Sequence, residues 1–279
     1  MTSDDRDNPE IGRRIDAGGI ETNYHDRGEG RPVVLLHGSG PGVTAWANWR
    51  LVIPELARNC RVLAPDIVGF GYTERPTDAS YDLPFWLAHL VGFLDALGLE
   101  RVSLVGNSFG GALALAMAVH HPQRVDRLVL MGSVGLDFPI TPGLDQVWGY
   151  TPSVQNMKAL IDLFVYDKSL VTDDLAEMRY RASIRPGVQE SYAAMFPPPR
   201  QEGVRRLAQS EDAVRAIGHE TLVIHGREDR VIPPEVGLRL HRLIPRSELH
   251  MFGACGHWTQ IEKRDRFVRL LRDFLVRSD

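Results

Sequence analysis

The five residues Gly106-Asn107-Ser108-Phe109-Gly110 constrain this chain more than any other stretch. They follow an apolar run, Arg101-Val102-Ser103-Leu104-Val105, that reads as a buried strand. They precede Gly111 to Ala118, which reads as a helix. A G-x-S-x-G on a sharp strand-to-helix turn is a nucleophile elbow. So tight a turn requires flanking positions without bulky side chains. It holds a serine hydroxyl out from the top of a sheet, beside a helix N-terminus that favours developing negative charge.

The rest of the chain supplies the sheet that such a turn needs. Pro32 to His37 and Val62 to Asp66 are continuous apolar runs, as in strands buried on both faces. Further strands are expected at Arg127–Met131, Thr221–His225 and Ser247–Met251, and two short ones between Ile11 and Asp26 around the turn Ala17-Gly18-Gly19. Helical periodicity covers Ala47–Leu56, Leu83–Leu97 and Arg264–Arg277. This alternation predicts an α/β fold with a mostly parallel sheet and helices on both faces. Between Asp137 and Glu211 the strand pattern stops, and prolines 139, 142, 152, 186 and 197–199 punctuate helical segments. The expected organisation is a disordered tail at 1–10, a core from 11–136 and 212–279, and an inserted helical cap at 137–211.

With 279 residues, 43% apolar and 24% charged, the chain can bury a substantial core. A net charge of −4 without basic blocks argues against nucleic acid as a partner. The longest apolar stretches fall far short of the ~18 residues that span a bilayer. The polar start, Met1-Thr2-Ser3-Asp4-Asp5-Arg6-Asp7, matches neither a secretory signal nor a transit peptide, so the cytoplasm is expected. The two cysteines, Cys60 and Cys255, form no C-x-x-C pair, and no metal or cofactor is expected. Cys255 lies two residues before His257 and reads as a buried packing residue.

A serine hydroxyl is a weak nucleophile at neutral pH and needs an adjacent base. On an elbow of this kind the partners follow in the order Ser, acid, His. Asp229, in the turn after the strand Thr221–His225, is the leading acid, with Glu228 and Asp66 as rivals. His257, in the loop after the last strand, is the base. Oxyanion stabilisation requires convergent backbone N–H groups. Phe109 supplies one; the glycine-rich bend His37-Gly38-Ser39-Gly40-Pro41-Gly42 supplies the other, from Ser39 first and Gly40 second. No Gly-Lys-Ser/Thr or G-x-G-x-x-G follows that strand, so phosphate binding is disfavoured.

The bend at 37–42 with Trp46-Ala47-Asn48-Trp49-Arg50, the elbow with Gly111, Ser183-Ile184-Arg185-Pro186-Gly187 and Gly256-His257-Trp258 closely resemble the meta-cleavage product hydrolases of the α/β-hydrolase fold. The resemblance runs from about residue 11 to the C-terminus, and is strongest to 2-hydroxymuconate-semialdehyde hydrolases and their alkyl-substituted relatives. Ser39 and Phe109 depart from the biphenyl-pathway members, which carry glycine and methionine there. The resemblance implies hydrolysis of the C5–C6 bond of a 2-hydroxy-6-oxohexa-2,4-dienoate. It also implies a homo-oligomer, and an arginine from the cap on the substrate carboxylate. That arginine matches Arg179, with Arg181 and Arg185 as alternatives; guanidinium–carboxylate pairing is the physical reason. By the same resemblance Gly40, Asn48, Asn107 and Trp258 surround the dienoate. Val134, Leu144, Trp148 and Val231 are expected by position around the C6 substituent.

A carboxylesterase or lactonase would use the same triad and oxyanion donors but needs no carboxylate clamp. A hydrolase-like small-molecule receptor is the non-enzymatic alternative. Dehalogenases and epoxide hydrolases of this fold use an Asp nucleophile, which Ser108 argues against.

Overall fold

The computed structural model describes residues 8–76 and 78–277. Eight strands form one sheet: β1 (Arg13–Asp16), β2 (Glu21–Arg27), β3 (Pro32–Leu36), β4 (Arg61–Pro65), β5 (Val102–Asn107), β6 (Val125–Met131), β7 (Glu220–Gly226) and β8 (Ser247–Phe252). Their order is β1-β2-β4-β3-β5-β6-β7-β8. β1 and β2 run antiparallel at one edge, and all pairings from β4 to β8 are parallel.

Strand periodicity divides the core into two layers. Val34, Leu36, Leu104, Leu128, Leu130 and Val223 point to one face; Val33, Leu35, Val105, Val129, Met131, Leu222 and Ile224 point to the other. The first face is covered by α3 (Leu83–Ala96), α4 (Phe109–His120) and α11 (Pro234–Leu243). The second is covered by α1 (Ala45–Trp49), α2 (Ile53–Leu56) and α13 (Arg264–Val276), through Trp49, Phe267 and Phe274. Continuous apolar runs therefore mark the central strands because both sides are packed.

Between β6 and β7 the described residues contain no strand. They form α5 (Pro142–Trp148), α6 (Val154–Phe164), a 3₁₀ turn at Lys168–Leu170, α7 (Asp173–Ser183), α8 (Val188–Met195), α9 (Gln201–Leu207) and α10 (Glu211–Arg215). Thr141, Ser153 and Thr172 cap α5, α6 and α7 through their hydroxyls. Asp173 and Asp174 place negative charge at the α7 N-terminus. The short helix α12 (Thr259–Glu262) precedes α13.

Two local expectations are corrected. The single helix expected at 47–56 is two short ones, because Pro54 lacks the N–H that would continue α1 and instead sits in the first turn of α2. Of the tail expected at 1–10, residues 1–7 lie outside the described residues, but Asn8 to Glu10 are tied down. Asn8 Nδ2 donates to the Tyr72 hydroxyl at 2.6 Å, and Asn23 Nδ2 donates to the Glu10 carbonyl at 3.0 Å.

Asp66, at the end of β4, fastens this end of the sheet. Its carboxylate accepts from Ala45 N–H at 2.6 Å, Tyr72 N–H at 2.8 Å and Asn23 Nδ2 at 2.8 Å. Burial pushes the carboxyl up to about 6, against the pull of these hydrogen bonds. Its unfolded value lies near 4, so between about pH 4 and 6 the folded state binds more protons than the unfolded state. Asp66 therefore contributes more stability as pH falls through that window. Chemical denaturation at about pH 7 and about pH 5 should show the stability gap between wild type and Asp66→Asn moving in favour of wild type on acidification. A gap moving the other way would contradict this.

Candidate active site

Ser108 leaves β5 at φ 55° and ψ −112°, outside the regions that side-chain-bearing residues favour. Close packing holds it there. A Cβ at Gly106 would collide with the backbone of Gly110 and Gly111, and one at Gly110 with the carbonyls of Leu36 and His37. The Ser108 N–H donates to the Met131 carbonyl at 2.8 Å, pinning the turn to β6. Helix α4 is apolar on all sides, as a helix buried all round must be.

Asp229 lies in the turn after β7. Its Oδ1 accepts the N–H groups of Val231 at 2.8 Å and Ile232 at 3.0 Å, and its Oδ2 meets His257 Nδ1 at 2.7 Å. That bond assigns the His257 proton to Nδ1 and leaves Nε2 free on the cavity side. Burial alone would raise the Asp229 carboxyl; the His257 charge and hydrogen bonds from His225 and His257 outweigh it and hold it well below the usual carboxylate range. Ser108 and His257 line the same cavity. Among the described residues no hydrogen bond joins them, a leg that commonly tightens only with substrate in place.

The rival acids do other work. Glu228 accepts the Cys255 N–H at 2.9 Å and pairs with Arg227. Asp66 is engaged as described above. His225, which the sequence reading overlooked, places Nε2 3.4 Å from Asp229 Oδ2 and 3.1 Å from the Ile232 carbonyl. Its signal was its position at the inner end of a buried strand, four residues before the acid.

Among the described residues, the N–H groups of Ser39 and Phe109 donate no hydrogen bond, which leaves both available to an oxyanion. Ser39 and Gly40 line the cavity. The Ser39 hydroxyl accepts Trp148 Nε1 at 2.9 Å. Just before it, Gly38 N–H donates to Asn48 Oδ1 at 3.0 Å, which also accepts Asn107 Nδ2 at 3.1 Å. Asn107 Oδ1 is buried without a partner.

These groups open on a cavity of about 300 Å³. One wall comes from the helical segment: Leu144 and Val147 on α5, Met157, Ile161 and Phe164 on α6, Leu175 and Arg179 on α7. Arg179 donates to the Gly42 carbonyl at 2.8 Å and lies 3.8 Å from Glu10. Burial pushes its guanidinium below the ordinary value while Glu10 opposes that. Arg181 pairs outward with Glu177, and Arg185 lies over the Tyr72 ring at 4.0 Å; neither lines the cavity. Trp258 lines it and stacks on Phe164 at 4.9 Å.

Of the four residues expected around the C6 substituent, Leu144 and Val231 line the cavity and Val134 and Trp148 do not. Val134 is buried behind the elbow, its N–H on the Ser108 carbonyl at 3.2 Å. Trp148 is stacked on Phe196 at 4.6 Å and spends its N–H on Ser39, so it acts one layer out. The α6 residues were missed because an i, i+4, i+7 apolar stripe reads equally as core.

A model of the alpha/beta hydrolase fold family matches residues 31–264. The chain is 63% identical over 272 residues to the 2-hydroxy-6-oxo-2,4-heptadienoate hydrolase of Pseudomonas putida strain F1, covering 98% of this chain and 99% of that one. It is 62% identical over 274 residues to the 2-hydroxymuconate semialdehyde hydrolase of Pseudomonas sp. strain CF600, covering 98% and 97%. The solved structure of the meta-cleavage product hydrolase CumD from Pseudomonas fluorescens IP01, complexed with acetates, matches with a TM-score of 0.95 and 57% identity over 96% of this chain and 98% of that chain.

Both cysteines are buried and unpaired. Burial, then Glu262, pushes the Cys255 thiol up to about 12, and burial raises that of Cys60. Neither should react with dithionitrobenzoate in native protein at about pH 8, and both should react once the chain is unfolded. Rapid reaction of either thiol in the native state would contradict this burial.

Proposed function

The chain belongs to the α/β-hydrolase fold family and, within it, to the meta-cleavage product hydrolases; from that premise we propose that it adds water across the C5–C6 bond of a 2-hydroxy-6-oxohexa-2,4-dienoate. The substrates are 2-hydroxymuconate semialdehyde or its 6-alkyl analogues. The products are a 2-hydroxypenta-2,4-dienoate and a carboxylic acid. One observation carries the reading: Ser108, His257, Arg179, Asn48 and Asn107 all line a single cavity whose remaining wall, Ser39 and Arg50 aside, is mostly apolar.

In this reading residues 137–211 are a cap over the carboxyl ends of the strands. Arg179 takes the substrate carboxylate, a role supported by its place in the cavity lining and by its having, among the described residues, no carboxylate closer than Glu10 at 3.8 Å. The unpartnered Asn107 Oδ1 accepts the 2-hydroxyl, and Asn48 fixes its neighbour's orientation. Gly40 and Trp258 flank the dienoate. Ketonisation comes first: the enol gives up its O–H proton and a proton arrives at C5. The new C5 centre can then leave as a dienolate, because its charge spreads to the C2 oxygen.

Attack at C6 follows, by Ser108 Oγ or by a water that Ser108 and His257 activate. His257 takes the proton, and Asp229 stabilises the resulting imidazolium. The C6 oxygen becomes an oxyanion facing the Ser39 and Phe109 N–H groups. Its collapse breaks C5–C6, the bond electrons entering the dienolate, which takes up a proton as the His257 imidazolium gives one up. Where water attacked, the carboxylic acid is released directly. Where Ser108 attacked, a water activated by His257 then hydrolyses the acyl-Ser108 ester to the acid and restores the serine hydroxyl. Leu144, Val231 and the α6 side chains receive the C6 substituent. The enzyme is a cytoplasmic homo-oligomer in this reading, the cytoplasm being supported by two unpaired, buried cysteines.

Ser108→Ala should lose at least several hundred-fold in turnover while still binding the dienoate; near-wild-type turnover would remove Ser108 from the reaction. Arg179→Ala should lower kcat/KM for the dienoate by roughly a hundred-fold or more and that for p-nitrophenyl acetate by less than about three-fold. Equal losses on both substrates would remove Arg179 from the carboxylate site.

A further inference from the structure

Glu262, the last residue of α12, gathers three backbone N–H groups, one from the loop six residues before it and two from a segment 95 to 96 residues earlier. Its Oε2 accepts from Gly256 at 2.6 Å, and its Oε1 accepts from Tyr166 at 2.9 Å and Asp167 at 2.8 Å. Gly256 immediately precedes His257. Tyr166 and Asp167 follow α6, whose last residue, Phe164, walls the cavity. Glu262 itself does not line the cavity.

The seam it closes bears directly on the imidazole. Trp258 N–H donates to the Phe164 carbonyl at 3.2 Å. The Phe164 ring lies against His257 at 5.9 Å and 28°, and against Trp258 at 4.9 Å and 19°. The segments meet so closely that a Cβ at Gly256 would fall 2.6 Å from the Phe164 carbonyl oxygen.

Resting on the reading of His257 as the base, we infer that Glu262 is a positioning residue that locks the cap segment to the His257 loop and so aims the imidazole at Ser108. The Asp229 bond fixes one edge of the ring but leaves it free to pivot about that bond. The Phe164 face restricts that pivot; α6 and the Trp258 N–H hold Phe164 from one side, and Glu262 fixes the chain that follows it. A carboxylate is suited to this because its charge strengthens all three N–H bonds at once. Displacing a catalytic base by about 1 Å costs on the order of a hundred-fold in rate.

The test is kinetics of Glu262→Ala and Glu262→Gln on 2-hydroxymuconate semialdehyde and on p-nitrophenyl acetate. It is joined by thermal unfolding and by dienoate binding in a Ser108→Ala background. Glu262→Ala should lower kcat by roughly 30- to 100-fold on both substrates, with KM and dienoate affinity within about three-fold of the parent. Glu262→Gln, which keeps the shape and one acceptor oxygen, should recover at least about a tenth of wild-type kcat but lose about five-fold or more. If the alanine variant does not fold, the glutamine variant decides by the same criteria. A folded variant with unchanged kcat, or with its loss carried by KM and binding affinity, overturns the inference. Wild type that cleaves the ester but not the dienoate overturns the proposed substrate, and the ester arm still decides Glu262.

Discussion

Ser108 is held at a positive φ by a turn with no room for any side chain at Gly106 or Gly110. Everything chemical in this fold is referred to that constraint. The turn carries the chain from β5 straight into α4 and, among the described residues, leaves the Phe109 N–H without an acceptor. Relaxing the turn would require pushing α4 off the carbonyls of Leu36 and His37, that is, off the strand feeding the oxyanion loop. Ser108 and the proposed oxyanion donors are thus positioned by the same contact.

A second layer works by fixing the fixers. Asp229 orients His257 and is itself held by two backbone N–H groups and faced by His225. Asn48 holds both Gly38 and Asn107, linking the oxyanion loop to the elbow. Asp66 secures the start of the helix that carries Asn48. Rigid elements supported by such outer contacts are what preorganised electrostatic catalysis requires.

The fold was legible because its signals are local. Buried parallel strands read as apolar runs, and the elbow carries its own glycines. The residues proposed as a triad could be picked out because chain order and loop position restrict each to one or two candidates, and the structure pairs Asp229 with His257 and sets His257 and Ser108 on one cavity. The cavity wall was not. Val134 is apolar and adjacent to the chemistry, yet it faces the core, and Trp148 reaches the site only through Ser39. Met157, Ile161 and Phe164 form a stripe that core packing would equally produce, and which side of a helix meets a cavity depends on how the helices dock. Glu262 was invisible, and His225 only faintly marked by its place four residues before Asp229, for a related reason: each acts through contacts that only the folded chain brings together.

On the proposed reading, what would separate a C–C hydrolase from an esterase on this scaffold is the combination of a part-buried guanidinium, an amide pair and a mostly apolar wall around one serine. The most direct measurement is product analysis during hydrolysis of 2-hydroxymuconate semialdehyde, following the dienolate absorbance alongside formate release. Formate and 2-hydroxypenta-2,4-dienoate should appear in equal amounts, matching the dienolate consumed. Loss of absorbance without formate, or no turnover by enzyme that readily cleaves p-nitrophenyl acetate, would contradict carbon–carbon bond hydrolysis.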